Sequence, residues 1–334
     1  MVSPVTRGLT FASLPALGVP AVGPLARRAE SLGYRSLWTA ETTGAEAFSL
    51  LTTAGSAAPG VALGTGVLAL QLRTPMLAAM GAATLAATTP GREVLLGVGI
   101  SSPVVVESWH GATYGDRPLA QAREYLTLVT ECLSGEPVTF DGDFYRCRKF
   151  RLAVRFDQRP KVVLGALNQR MLQLAGELAD GVLLNYLPAT AVPWCVEQVR
   201  AGEARSGRTP GSCAVYSYVH VGVCDRDSAL DPARRDLFSY AVVPAYAAAF
   251  SRAGFADEVA ACAEAHGRRD REGALAAISE RMIDAIDICG DAQLVSDAVA
   301  AYEAAGVDHA IVMPLPWGPD RAAIVDDTIV AAAT

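Results

Sequence analysis

Short, continuously apolar runs alternate with longer stretches of helical periodicity along almost the whole chain. The apolar runs fall at 7–13, 35–41, 61–69, 93–99, 161–165, 181–186, 214–224 and 308–313. Because they do not alternate with polar residues, they read as strands buried on both faces. The intervening pattern predicts helices over 20–33, 45–58, 75–89, 117–134, 169–179, 189–206, 290–305 and 320–333. Strand and helix in strict succession, eight times over, predict a (β/α)8 TIM barrel. Glycine at the junctions Leu32-Gly33-Tyr34 and Ala305-Gly306-Val307 supplies the left-handed residue that ends a helix just before a strand, and Ala179-Asp180-Gly181-Val182 turns another helix into a strand.

Two stretches interrupt the repeat. Residues 136–152 hold Asp141-Gly142 between apolar positions, the pattern of a β-hairpin. Residues 227–287 form a helical insertion between the seventh and eighth strands, with helices expected over 229–252, 256–266 and 270–285. No Pro-, Gly- or Ser-rich linker divides the chain, so 1–334 is expected to be one domain. A Rossmann sheet is the rival architecture, but Gly8, Gly18 and Gly23 have the wrong spacing for its phosphate loop. Gly97-Val98-Gly99 lacks the third glycine.

Composition narrows the chemistry. The 334 residues are 51% hydrophobic and carry a net charge of −7, with Lys149 and Lys161 the only lysines. Nucleic acid needs a basic stripe that this chain lacks, so it is not expected as a partner. The longest mildly apolar stretch, 74–91, is Ala/Thr-rich rather than membrane-like, and residues 1–7 lack the order of a secretion signal. A cytoplasmic protein with no membrane contact is expected. Seven scattered cysteines and four histidines (His110, His220, His266, His309) show no metal-ligand spacing, so no metal is expected. An organic cofactor is then the simplest source of chemistry.

In a barrel the functional face lies at the carboxyl ends of the strands. The second strand leads into Glu41 and Thr42, a carboxylate and a hydroxyl able to orient a ring or move a proton, though Glu41 is equally placed to cap the next helix. Gly64-Thr65-Gly66-Val67 puts two glycines in the third strand, which implies a bulge or a close backbone approach. The fourth strand ends in Gly99-Ile100-Ser101-Ser102. The fifth runs through Gly165-Ala166-Leu167-Asn168 into a helix starting Gln169-Arg170-Met171. A small-residue turn, a helix N-terminus and Arg170 together suit a phosphate.

The runs Leu63 to Leu68, Leu96 to Gly99, Glu107-Ser108-Trp109-His110-Gly111, Arg117-Pro118-Leu119-Ala120, Arg123-Glu124-Tyr125 and Leu174 to Asn185 resemble the bacterial-luciferase-like superfamily. The similarity is closer to its branch that uses the deazaflavin coenzyme F420, including methylenetetrahydromethanopterin reductases and glucose-6-phosphate dehydrogenases. This resemblance implies a (β/α)8 barrel, a homodimer and hydride transfer between the cofactor's C5 and a small-molecule substrate. It also implies that the ring rests against a bulge at Thr65, Gly66 and Val67, often with a cis peptide. Gly99, Ile100, Ser101 and Ser102 would run along the cofactor, and Gly165, Ala166, Leu167, Asn168, Gln169, Arg170 and Met171 would receive its phosphate and tail.

The chain departs from the family in two places. Glu41-Thr42 stands where Asp-His is common, and Ser101-Ser102-Pro103 where the sugar-phosphate dehydrogenases carry a glutamate. Glu41, with Thr42 beside it, is therefore the candidate acid, and a sugar phosphate is not the expected substrate. Two other readings stay open: an FMN-dependent monooxygenase fed by a separate reductase, and a barrel without catalysis whose mouth is filled by bulky residues of 227–287. His110 is expected to hold a loop, and Trp109 to anchor packing.

Overall fold

The computed structural model describes residues 6–333, so the leader reading, which rests on residues 1–7, falls largely outside it. Eight parallel strands run in chain order around a closed barrel: Thr6–Thr10, Ser36–Thr39, Ala62–Thr65, Val94–Gly99, Lys161–Gly165, Gly181–Leu184, Ala214–Val223 and His309–Pro314. The eighth strand pairs with the first, Thr6 opposite His309 and Leu9 opposite Val312, which closes the ring. The expected (β/α)8 barrel is the fold.

Alternation along the strands divides the core in two. Trp38, Leu95, Val163, Leu183, Tyr216, Tyr218 and Ile311 point inward and fill the barrel. A larger apolar layer lies between the strands and the helical jacket. Small residues make that jacket tight. The helix Pro75–Thr88 buries Ala78, Ala79, Ala82, Ala83 and Ala86. Where Gln169–Leu178 crosses Val192–Arg205, a Cβ on Gly176 would stand 2.1 Å from the Val199 carbonyl oxygen, and one on Gly202 would stand 2.0 Å from that of Gln173. The two backbones touch because neither glycine carries a side chain.

Several boundaries differ from those expected. The third strand does not run unbroken from 61 to 69: it stops at Thr65, steps out at Gly66-Val67, and resumes as Leu68–Ala69 beside Val98 and Gly99. Gly33 and Gly306 take the left-handed conformation at φ 92° and 107°, as their junctions predict. Gly181 does not; it is small because a Cβ there would stand 2.7 Å from the Tyr216 ring.

The hairpin is present, Val138–Asp141 against Arg146–Phe150. The helix expected over 229–252 breaks into Arg226–Ala241 and Pro244–Phe250, since Pro244 has no N–H to continue the ladder. The stretch expected as a helix over 270–285 becomes Arg271–Ala276 and Glu280–Ile286, the second restarted by the Ser279 side chain accepting from Met282 N–H. A strand that the periodicity did not reveal, Asp287–Gly290, follows it and pairs with the far end of the seventh strand. Among the described residues no helix is long and apolar enough to cross a membrane, and all seven cysteines are free thiols.

Candidate active site

The carboxyl ends of the strands form an uneven rim. On the side of the first two strands it opens into a cleft of about 520 Å³, lined by Phe11, Leu14, Gly18, Thr39, Ala40 and Thr42 among others. A smaller hollow of about 340 Å³, beside Thr6 and Tyr34, lies at the opposite end of the barrel and is remote from every candidate residue.

Glu41 is engaged on both carboxylate oxygens. Arg73 donates to Oε2 from Nε at 2.9 Å and to Oε1 from Nη2 at 2.8 Å, and Ala47 N–H donates to Oε1 at 3.2 Å. The side chain therefore ties the loop after the second strand to the start of helix Ala47–Ala57 and to the loop after Leu68–Ala69. Arg73 also reaches Glu46, the N-cap of that helix. Thr42 faces the cleft, and its carbonyl oxygen lies 2.7 Å from His110 Nε2, so His110 bridges two rim loops as expected. Trp109 is 57% exposed and anchors nothing, contrary to expectation, because the turn Val104–Trp109 turns it outward.

Thr65, Gly66 and Val67 come together with Gly99 and Gly165. The Thr65 hydroxyl donates to Gly97 O and accepts from Gly97 N–H, both at 2.8 Å, stapling the third strand to the fourth. The Gly66–Val67 peptide is cis. Gly66 N–H donates to Thr39 O, and the Tyr218 hydroxyl donates to Gly66 O, each at 2.7 Å. Val67 drops into the space left by two glycines: a Cβ on Gly99 would stand 2.9 Å from its side chain, and one on Gly165 would stand 3.3 Å away. These rim glycines accordingly make room for protein atoms. The side chains nearest Gly66 are the barrel's own Tyr218 and Leu183.

Ile100 packs on the core, and the Ser102 hydroxyl accepts from Val105 N–H at 3.3 Å to cap the following turn, with Ser101 beside it on the rim. At the fifth strand, Ala166 N–H donates to Leu183 O, and Leu167 and Asn168 lead into the helix, whose Gln169 and Arg170 are exposed and whose Met171 N–H returns to Asn168 O. Asn168 is the N-cap but makes no side-chain cap; its amide instead donates to Ala245 O of the insertion at 3.0 Å. Besides Arg170, a second cation lies on this turn, Arg252, which the sequence did not reveal. It donates to Leu167 O at 2.7 Å and to Asn168 Oδ1 at 3.2 Å, with its guanidinium 4.1 Å over the Trp194 ring. It comes from the insertion, 84 residues away in sequence from Asn168.

A second polar group lies under the insertion, at the ends of the sixth and seventh strands. His220 Nδ1 is 3.0 Å from Asp287 Oδ1, and Nε2 is 2.8 Å from Asn185 Oδ1. The Tyr186 hydroxyl donates to Asp236 Oδ2 at 2.8 Å, and its ring packs on His220 and Tyr240. Tyr186 holds a left-handed φ of 51°, a conformation that costs a non-glycine residue about 1–3 kcal/mol. Burial pushes His220 down to about 4 and Asp236 up to about 6, the latter helped by Asp287, and raises Asp287 well above the usual carboxylate range. Sequence spacing gave no hint of this group, because its members are brought together only by barrel closure and the return of the insertion.

Three comparisons bear on most of the chain. A family model for luciferase-like monooxygenases matches residues 13–309. A protein of Mycobacterium tuberculosis named a putative coenzyme F420-dependent oxidoreductase is 32% identical over 317 residues, 86% of this chain and 89% of that one. The 5,10-methylenetetrahydromethanopterin reductase of Methanolobus tindarius is 28% identical over 333 residues, covering 95% and 96% of the two chains. Among solved structures, the coenzyme F420-dependent tetrahydromethanopterin reductase of Methanopyrus kandleri superposes with a TM-score of 0.79 at 24% identity, covering 99% of this chain and 97% of that one.

Proposed function

Because the chain belongs to the luciferase-like monooxygenase family, we propose that it is a coenzyme F420-dependent oxidoreductase acting on a small organic substrate. The relative of 32% identity that bears that name over most of both chains carries this reading. The residues at the rim fit such a cofactor. The turn Gly165 to Met171 offers a helix N-terminus whose N-cap side chain is turned away, with Arg252 beside it, a setting that favours a phosphate. The cleft beside the first two strands is lined mainly by apolar side chains, Phe11, Leu14, Leu17 and Leu25 among them, with the hydroxyls of Thr39, Thr42 and Thr43, a lining suited to a small organic substrate.

When bound, the deazaflavin supplies a two-electron carrier that exchanges hydride at C5 and activates oxygen poorly. The chain's own task is to position it and keep water out. Tyr218 and Thr39 fix the two sides of the Gly66 peptide, so Val67 presents a rigid apolar shelf. Glu41, occupied on both oxygens by Arg73, serves to hold the loop that carries Thr42. Thr42 lines the cleft together with Thr39 and Thr43.

Separate fluorescence titrations with F420 and FMN test the reading. Saturable F420 binding with weak or absent FMN binding is expected. Tight FMN binding without F420 binding would overturn it in favour of a reductase-fed monooxygenase. Arg252→Ala should weaken F420 binding about tenfold, roughly 1.4 kcal/mol. The same deazaflavin stripped of phosphate and tail should bind wild type and variant equally.

A further inference from the structure

The buried group beneath the insertion joins three separate segments. His220 belongs to the seventh barrel strand, Asp236 to the helix by which the chain enters the insertion, and Asp287 to the strand by which it leaves. His220 and Asp287 are register partners and are 1% and 0% exposed. Asp287 Oδ2 is buried with no hydrogen-bond partner, and neither aspartate is ion-paired with an arginine or lysine among the described residues.

The partner of Nε2 offers one polarity for the imidazole. Nε2 faces Asn185 Oδ1, and Asn185 also bonds the Tyr246 hydroxyl. With Nε2–H donating to that amide oxygen, Nδ1 turns its lone pair toward Asp287 Oδ1 at 3.0 Å. Two acceptors so close need a proton or a cation between them, and the second Asp287 oxygen, buried and without a partner, leaves an acceptor that a proton on Oδ1 does not satisfy. A ring nitrogen whose partner N–H donates to a carbonyl is the arrangement that fixes a metal-binding histidine.

We propose that His220 Nδ1, Asp236 and Asp287 bind a divalent transition-metal ion of the Mn²⁺, Fe²⁺, Co²⁺ or Zn²⁺ class. Their ligand atoms all lie within 4.8 Å of one another. A six-coordinate ion with bonds of about 2.1 Å separates adjacent ligands by about 3.0 Å and opposite ones by about 4.2 Å. The His220–Asp287 separation matches the adjacent pair, and the spread of up to 4.8 Å across the three contracts on binding through rotation of the Asp236 side chain. One nitrogen and two carboxylates favour borderline ions over calcium, which takes six to eight oxygens. Two carboxylates also neutralise the charge of such an ion inside an otherwise apolar setting. Asn185 and Tyr186 act as positioning residues, the first through the imidazole and the second through Asp236 Oδ2. Bound there, the ion pins both ends of the insertion to the barrel.

The test uses the full chain, stripped with EDTA and titrated with Co²⁺ and Mn²⁺. One equivalent is expected, seen by calorimetry, by visible Co²⁺ bands that include a nitrogen ligand, and by a rise in melting temperature. Asp287→Asn should abolish stoichiometric binding, and Asn185→Ala should weaken it about ten- to a hundredfold. Failure of the wild-type chain to take up one equivalent would overturn the proposal and leave a proton shared between Asp287 and His220 as the positive centre. Binding unchanged in Asp287→Asn would overturn it equally. All three readouts are independent of F420 binding, so the outcome does not depend on the cofactor assignment.

Discussion

At Gly97 a single hydrogen atom lets the third and fourth strands approach: a Cβ there would stand 1.8 Å from the Thr65 carbonyl oxygen. Gly97→Ala should destabilise the fold by about 1–3 kcal/mol through overpacking, read as a lowered midpoint in urea with an unchanged slope. The rim glycines were visible in the sequence as anomalies in apolar strands, but their cause was not. Gly64 lies under the Trp38 ring, and Gly99 and Gly165 under Val67, and such contacts depend on which strand is the neighbour. Glu41 teaches the same lesson from the other side. The sequence placed a carboxylate at the mouth, whereas its partner Arg73 lies beyond the next strand, and only the fold shows that both oxygens are taken.

Elements were legible where a local rule fixes them. The left-handed glycines Gly33 and Gly306 end helices whatever the surroundings, and the Asp-Gly pair makes its hairpin. The insertion was harder to parse, since its breaks at Val243-Pro244 and Ser279 fall inside a pattern that stays helical in period. The helix Val192–Arg205 shows how an element's end can be tied electrostatically. Glu203, fully buried, accepts from Cys213 N–H at 2.6 Å and Gly211 N–H at 2.9 Å and pairs with Arg200. Burial opposes its charge, yet these donors outweigh it and hold the carboxyl below its usual value. A depressed carboxyl stabilises the fold above the unfolded value near 4.5, and that contribution is lost as pH falls through the lower folded value. Chemical denaturation from pH 7 to 3 should therefore show a steeper acid limb in wild type than in Glu203→Gln.

Over the whole molecule, the barrel is a chain of local steps with one long-range closure. Seven of the eight strand pairings join consecutive strands, which is why alternation alone disclosed the fold. The eighth pairing joins the two ends of the chain and is reinforced by Arg7, which forks onto Glu303 and donates to Ala332 O. Arg7→Ala should cost about 1.5–3 kcal/mol in global stability, measured by denaturant titration, as expected for lost hydrogen bonds to a charged group. The buried group at His220, Asp236 and Asp287 was illegible for the opposite reason: no short-range rule links residues contributed by a strand, a helix and a returning edge. The seventh strand, ten residues long against four in the second, also gives the barrel a direction. The insertion is rooted on that strand through Asp287–Gly290, and none of its residues lines the cleft beside Phe11 and Thr42. The cleft and the insertion thus draw on different loops of the rim, so the two flanks are free to diverge separately in sequence.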